Sequence, residues 1–271
     1  MKFLIAQILL WTWQAAVCQT HIGMHGSFFI AAIGSDGIMV ATDSRVSFFD
    51  WRDPKREILG YFDDMQKTVP IGKYVFASNG QGLVGSKLVP SVLSDFFLKV
   101  KPLPQLNLLL FVVTKFIKDN TDQRSYQIFA SNILIAAGYE DGMPAIYALK
   151  PIENRFDSVV QFGCFEADNT VFDQRNSWRL PCKQLGQMAE TAILQYAKDK
   201  KNKYIGGPIR TIQITPDRTI WLKNAPKSFW KTDKDFLLDY KAGKVKITFT
   251  SPQNKERWQK LMALDHPDLF K

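Results

Sequence analysis

Gly26-Ser27 opens an apolar, β-favouring stretch, and the polar residues that punctuate the next stretches can do chemistry with a hydroxyl. Asp43 closes the second stretch within Asp43-Ser44-Arg45, Lys67 opens the third, and the small residues Ser78-Asn79-Gly80 close the fourth. A serine hydroxyl is a weak nucleophile at neutral pH and needs a base within hydrogen-bond reach. Taken singly these residues are ordinary. Serine is common at strand starts, and Asp43 with Lys67 reads equally as a plain ion pair of small energetic value. Histidine offers no Ser-His-Asp arrangement, because His21 and His25 precede Ser27 and His266 lies near the C-terminus. Cys164, as an alternative nucleophile, lacks both a base and an N-terminal position.

The elements that must hold these groups follow from periodicity. Residues 27–33 and 37–42 read as two strands joined by the hairpin signal Gly34-Ser35-Asp36-Gly37, and 67–71 with 73–78 as another pair turned at Gly72. Between the pairs, 48–64 is polar and aromatic and reads as a surface loop. Residues 83–100 carry apolar positions close to the 3.6 period, with Pro90 predicting a kink or a late helix start. Residues 106–117 are apolar on nearly every side, as in a helix buried between layers. Strands return at 132–137 and 144–149, a third helix at 184–198, and a last hairpin at 210–214 and 219–222. A strand-like 244–249 and a helix-like 254–263 complete the tail. Strands, two helices, strands, a helix and strands again predict an α+β fold in which two sheets lie between helical layers.

Bulk properties narrow the function classes. The 271 residues carry a formal charge of +9, but the basic residues are scattered apart from a cluster at 198–203 that reads as a solvated helix end. No basic stripe interleaved with aromatics, zinc spacing or phosphate loop is present, so nucleic acid, metal and cofactor are not expected. The N-terminus reads as a secretory signal: Lys2, an apolar run from Phe3 to Trp13 broken only by Gln7, then Ala15-Ala16-Val17-Cys18 suited to cleavage after Cys18. The run is short of the ~20 residues a transmembrane helix needs, so export to the periplasm or outside the cell is expected, with no membrane span after signal removal. Cys164 and Cys182 then remain, either as a disulfide or as two buried thiols.

In order and spacing the residues from Ser27 to Leu222 resemble a proteasome β-subunit. In that family a glycine precedes the nucleophile, Asp-Ser-Arg follows sixteen residues later, and a lysine opens the next hairpin; Asp43 stands sixteen residues after Ser27. The match at Lys67 requires an insertion, which 48–64 absorbs. Ile133-Leu134-Ile135-Ala136-Ala137-Gly138-Tyr139 followed by Gly142-Met143-Pro144 resembles the family's central hairpin, and Ile205-Gly206-Gly207 its late glycine pair. The resemblance implies a four-layer αββα sandwich and an N-terminal nucleophile (Ntn) hydrolase acting on a peptide or amide bond. It also implies a homo-oligomer assembled through the outer helices. Ser27 would be the nucleophile, and its own α-amine the base, exposed when the bond after Gly26 is cut. An α-amine with a pKa of ~7.7–8.0 is well placed to accept a proton near neutrality. Asp43 and Lys67 would set a positive field beside the hydroxyl, the Gly80 amide would serve the oxyanion, and Arg45 would be a structural partner. The chain would divide into a signal at 1–18, a propeptide at 19–26, the Ntn domain at 27–225 and an extension at 226–271 packed on it.

The sequence departs from the family at three positions. Gly163-Cys164-Phe165 stands where active subunits have Gly-Ser-Gly, and Asn202 and Ile205 stand where they have an aspartate and a serine. Cys164 and Asn202 are therefore the candidate supporting residues, in altered form. These changes motivate the competing expectation, an inactive relative kept as an assembly or binding module.

Overall fold

The computed structural model describes residues 21–26, 28–80, 82–100, 105–151, 155–160, 164–166, 177–199 and 201–270. Its architecture is mixed α and β, and every sheet is antiparallel. In chain order the first strands are β1 (Ile22–His25), β2 (Phe29–Gly34), β3 (Gly37–Thr42), β4 (Arg45–Asp50) and β5 (Ile58–Asp63). After them come β6 (Thr68–Ile71), β7 (Tyr74–Asn79) and the short hairpin β8 (Leu83–Val84) with β9 (Lys87–Leu88). Helices α1 (Val89–Lys99), α2 (Leu106–Asp119) and α3 (Gln123–Ala130) lead into β10 (Ile133–Glu140), β11 (Met143–Lys150), β12 (Arg155–Val160) and β13 (Cys164–Glu166). The chain closes with α4 (Cys182–Asp199), β14 (Arg210–Ile214), β15 (Thr219–Lys223), α5 (Asp233–Lys241), β16 (Thr248–Phe249) and α6 (Pro252–Asp265).

Two five-stranded sheets run β13-β2-β3-β14-β15 and β12-β11-β10-β7-β6. In β2 and β3, Phe29, Ala31, Ile38 and Val40 pack with Val75, Ala77, Ile135 and Ala137 of the other sheet. The alternate residues Ile30, Ala32, Met39 and Ala41 pack on Leu185, Ala189 and Ile193 of α4. Both faces are buried, which is why these strands read as unbroken apolar runs rather than as an alternation. Phe76, Leu134 and Ala136 of the second sheet face α1 and α2 through Leu93, Phe96, Leu109 and Val113. Pro90 sits in the first turn of α1, where its missing N–H is not needed, so the helix starts late and 83–88 folds as the β8–β9 hairpin.

The segment 48–64 is not the surface loop that its composition predicts. It contributes the end of β4 and all of β5 to a third sheet ordered β1-β4-β5-β16, with Phe48, Phe49, Leu59 and Phe62 buried. The cause lies far away in the chain. Phe48, Leu59 and Phe62 pack on Trp230, Phe236, Trp258 and Leu261 from the C-terminal residues, with Phe62 edge-on to both Trp230 and Phe236. The strand expected at 244–249 contracts to Thr248–Phe249, and α3 and α5 are helices that periodicity did not reveal. Cys182, the first residue of α4, is a free and fully buried thiol. Among the described residues, no helix is long and apolar enough to cross a membrane.

Candidate active site

Thr42 ends β3, and the chain then turns so that the Asp43 carboxylate points back across the β2–β3 hairpin, fully buried. Its Oδ1 accepts the Phe28 amide at 2.8 Å and the Lys67 ammonium at 2.7 Å. Its Oδ2 accepts the Gly206 amide at 3.1 Å and the Arg45 amide at 3.3 Å. Four donors on one carboxylate satisfy its charge away from water, as a buried ion pair requires. The Asp43 amide in turn donates to the Phe28 carbonyl at 3.1 Å, so the residue following Ser27 is tied to Asp43 twice. Ser27 itself lies outside the described residues; its neighbours Gly26 and Phe28 are both buried.

Lys67 immediately precedes β6 and is only 7% exposed. Burial pulls its pKa below the ordinary lysine value, and the Asp43 carboxylate opposes that pull. Asp63 also favours the ammonium, whereas Arg210 disfavours it. Arg210 is buried in β14 beside Thr42, donating through Nη2 to the Asp64 carbonyl at 3.0 Å and to the Asp64 carboxylate. Its Nε and Nη1 have no partner among the described residues. Charges of both signs beyond the Asp43–Lys67 pair therefore act on Lys67, the carboxylate of Asp63 more than the guanidinium of Arg210.

The late glycine pair has a geometric reason. The Gly206 carbonyl accepts the Ser44 and Arg45 amides at 3.1 and 2.9 Å while its own amide serves Asp43. A Cβ on Gly206 would lie 2.6 Å from the Arg45 guanidinium carbon. That guanidinium is fixed: it forms a two-pronged bond to Asp63 at 2.6 and 2.7 Å and lies 3.9 Å over the Tyr61 ring. Arg45 thus braces β4 against β5.

Gly80 follows β7 with φ +95°, and a Cβ there would lie 2.4 Å from the buried Asn132 Oδ1. Its carbonyl accepts the Gly26 amide at 3.3 Å, so Gly80 stands directly beside the residue preceding Ser27. The fold brings Asp43, Lys67 and Gly80 together around the Gly26–Phe28 segment. It does not bring Cys164 there. Cys164 pairs with Ala32, four residues along from Phe28, roughly 13 Å at the usual strand rise. Asn202 shapes the approach to the glycine pair, its carboxamide oxygen accepting the Tyr204 amide at 2.9 Å. Ile205 is buried toward α4.

Beside Lys67 a small cleft of about 30 Å³ is walled by Met24, Val46, Met65, Leu88, Val89 and Pro90. Gly26, Gln66, Ser78 and Gly82 also reach it. Most of these residues carry no sequence signal beyond apolarity, and Met24 belongs to the segment expected to be discarded. His25 was also missed. Its Nδ1 is buried without a partner, and burial, then Lys67 and Arg56, lower its pKa, which leaves a neutral imidazole at neutral pH. Arg210 opens β14 as an ordinary strand-end charge, and neither it nor His25 carried a sequence signal.

No protein-family model matches the chain, and no curated protein matches it. The functional reading therefore rests on the residues and their geometry.

Proposed function

We propose that the protein is an exported, self-processing Ntn hydrolase of the proteasome β-subunit type, cleaving peptide or amide bonds with Ser27 as nucleophile. One observation carries the reading: the Asp43 oxygen that receives the Lys67 ammonium also receives the amide of Phe28, the residue after Ser27. The packing of helix on sheet, sheet on sheet and sheet on helix supports an αββα sandwich. In processing, the Ser27 hydroxyl adds to the Gly26 carbonyl carbon and the peptide nitrogen departs with a proton. Water then hydrolyses the resulting ester, giving a Gly26 carboxylate and a free Ser27 amine. In turnover that amine takes the hydroxyl proton as the oxygen attacks a substrate carbonyl. It returns the proton to the leaving nitrogen, and water releases the acyl group. The Lys67 and Asp43 charges act on the developing alkoxide, and the apolar cleft takes an uncharged side chain of the acyl half of the substrate.

Two measurements test this. Mass analysis of the exported protein should find a chain beginning at Ser27; a Ser27 still internal means that the amine base never forms. A hydroxyl-directed acylating probe should label Ser27, and labelling should vanish in Ser27→Ala.

The second reading is a non-catalytic assembly or binding module. It is favoured by the distance of Cys164 from the Asp43 carboxylate's end of β2 and by the burial of Ile205 away from Asp43. Exposed Leu98 on α1 and Leu108 on α2 would serve such an assembly. An inert Ser27 in the labelling experiment supports this reading.

A further inference from the structure

The segment before Ser27 is built into the fold more firmly than a disposable leader requires. β1 pairs with β4 through all four of its residues, from Ile22 opposite Asp50 to His25 opposite Ser47. Ile22 and Met24 are 2% and 3% exposed and pack among Phe48, Leu59 and Trp258. Gly23 lies flat on the Phe49 ring, where a Cβ would come within 2.4 Å. The Trp51 amide extends that pairing by donating to the His21 carbonyl at 3.0 Å, and on the far side of β1 the Gly82 amide donates to the Met24 carbonyl at 2.9 Å. The C-terminal helix closes the arrangement. Asp265 at the end of α6, its side chain 2% exposed, accepts the His21 amide at 2.7 and 2.8 Å. It also accepts the Ile22 amide at 3.2 Å and contacts the His21 ring through Nδ1.

We propose that residues 21–26 remain bound after the Gly26–Ser27 bond is cut, as a resident strand clamped by Asp265 that fills the approach to the cleft beside Lys67 and keeps the enzyme latent. The inference rests on the hydrolase reading. Scission breaks one bond at the end of the strand and removes none of the contacts above, all of which lie on the leader side. The new Gly26 carboxylate stays in the cleft beside Lys67 and Ser78, where a substrate's acyl group must enter. Met24 meanwhile keeps its place in the cleft wall. An extended substrate has to displace this strand, so release of the leader is the activating event.

The test compares denaturing and native masses of the purified protein, together with acylating-probe labelling of Ser27. Two chains under denaturing conditions and one summed mass under native conditions are expected. Asp265→Ala should weaken retention by at least ~10-fold, so that dialysis removes the leader and Ser27 labels correspondingly faster. His21→Ala, which spares the buried carboxylate, should act in the same direction and serves if Asp265→Ala does not fold. Adding a synthetic peptide with the sequence of residues 21–26 should suppress labelling again, and a scrambled peptide should not. A cut chain whose leader is missing from the native mass overturns the proposal, as does a retained leader whose loss leaves labelling unchanged. An uncut chain instead sinks the hydrolase reading beneath it.

Discussion

Replacing Asp43 by asparagine keeps the volume and removes the charge. Each carboxylate oxygen now accepts two donors: Phe28 and Lys67 on Oδ1, Gly206 and Arg45 on Oδ2. Whichever way the asparagine amide is turned, its NH2 faces two donors, so two buried hydrogen bonds are lost. At ~1–3 kcal/mol for each unpaired buried group, and with Lys67 deprived of its counter-charge, the cost is ~3–5 kcal/mol. That is a large share of the ~5–15 kcal/mol that holds a domain of this kind folded. Urea unfolding reads it as a shift in midpoint at unchanged slope. The pH dependence has a definite sign. Lys67 is depressed from its ordinary 10.5 by burial, with Asp43 opposing, so removing Asp43 depresses it further. Between the folded value and 10.5 the unfolded chain binds more protons, and stability rises with pH across that window. The deficit of Asp43→Asn should therefore be largest at neutral pH and shrink toward alkaline pH. Adding Lys67→Met should recover part of the loss, leaving the double variant less damaged than the sum of the singles. An Asp43→Asn cost below ~1 kcal/mol, or a strictly additive double variant, would refute the claim that this pair is buried and mutually dependent.

Further expectations follow from single contacts. Gly206→Ala places a Cβ 2.6 Å from a guanidinium held by Asp63 and Tyr61, and should cost ~1–3 kcal/mol in denaturation while slowing any Ser27 labelling. His266 is raised above 6.5 chiefly by its hydrogen bond to Asp233, so its contribution is complete below that pH and fades as pH rises through the folded value. Thermal melts of His266→Gln should accordingly show their deficit at acid pH and little at alkaline pH; the reverse order would disprove the pairing. Burial and Asp36 push the Cys182 thiol far up, so in the native protein it should resist alkylation and react only on unfolding, as followed by peptide mapping.

The hairpins were legible because their signals are local. Ser35-Asp36 before Gly37 and the turn at Gly72 mark reversals that need no distant partner, and β3 and β14 fall where their apolar runs placed them. The 3.6 period located α2 and α4 to within two residues at each end. It failed at β4 and β5 because Phe48 and Phe62 look like the aromatics of a loop until Trp230, Phe236 and Trp258 arrive from the end of the chain to bury them. The meeting of Phe28 with Asp43 was equally visible, because a two-strand hairpin returns its ends to one place.

The linear order of residues by itself determined the mixed architecture and the hairpin that carries Asp43, since both depend on short-range periodicity or on turn chemistry, while the candidacy of Lys67 and Gly80 came from the family resemblance in order and spacing. Only tertiary packing decided that Lys67 is dehydrated beside Arg210, that Arg45 turns to Asp63, and that Cys164 stands apart from Asp43. Packing also decided that β1 is a structural strand fastened by Asp265. Burial and counter-charge depend on groups 18 residues apart, as for Arg45 and Asp63, or 244 apart, as for His21 and Asp265, and local sequence carries no information about which of them will meet.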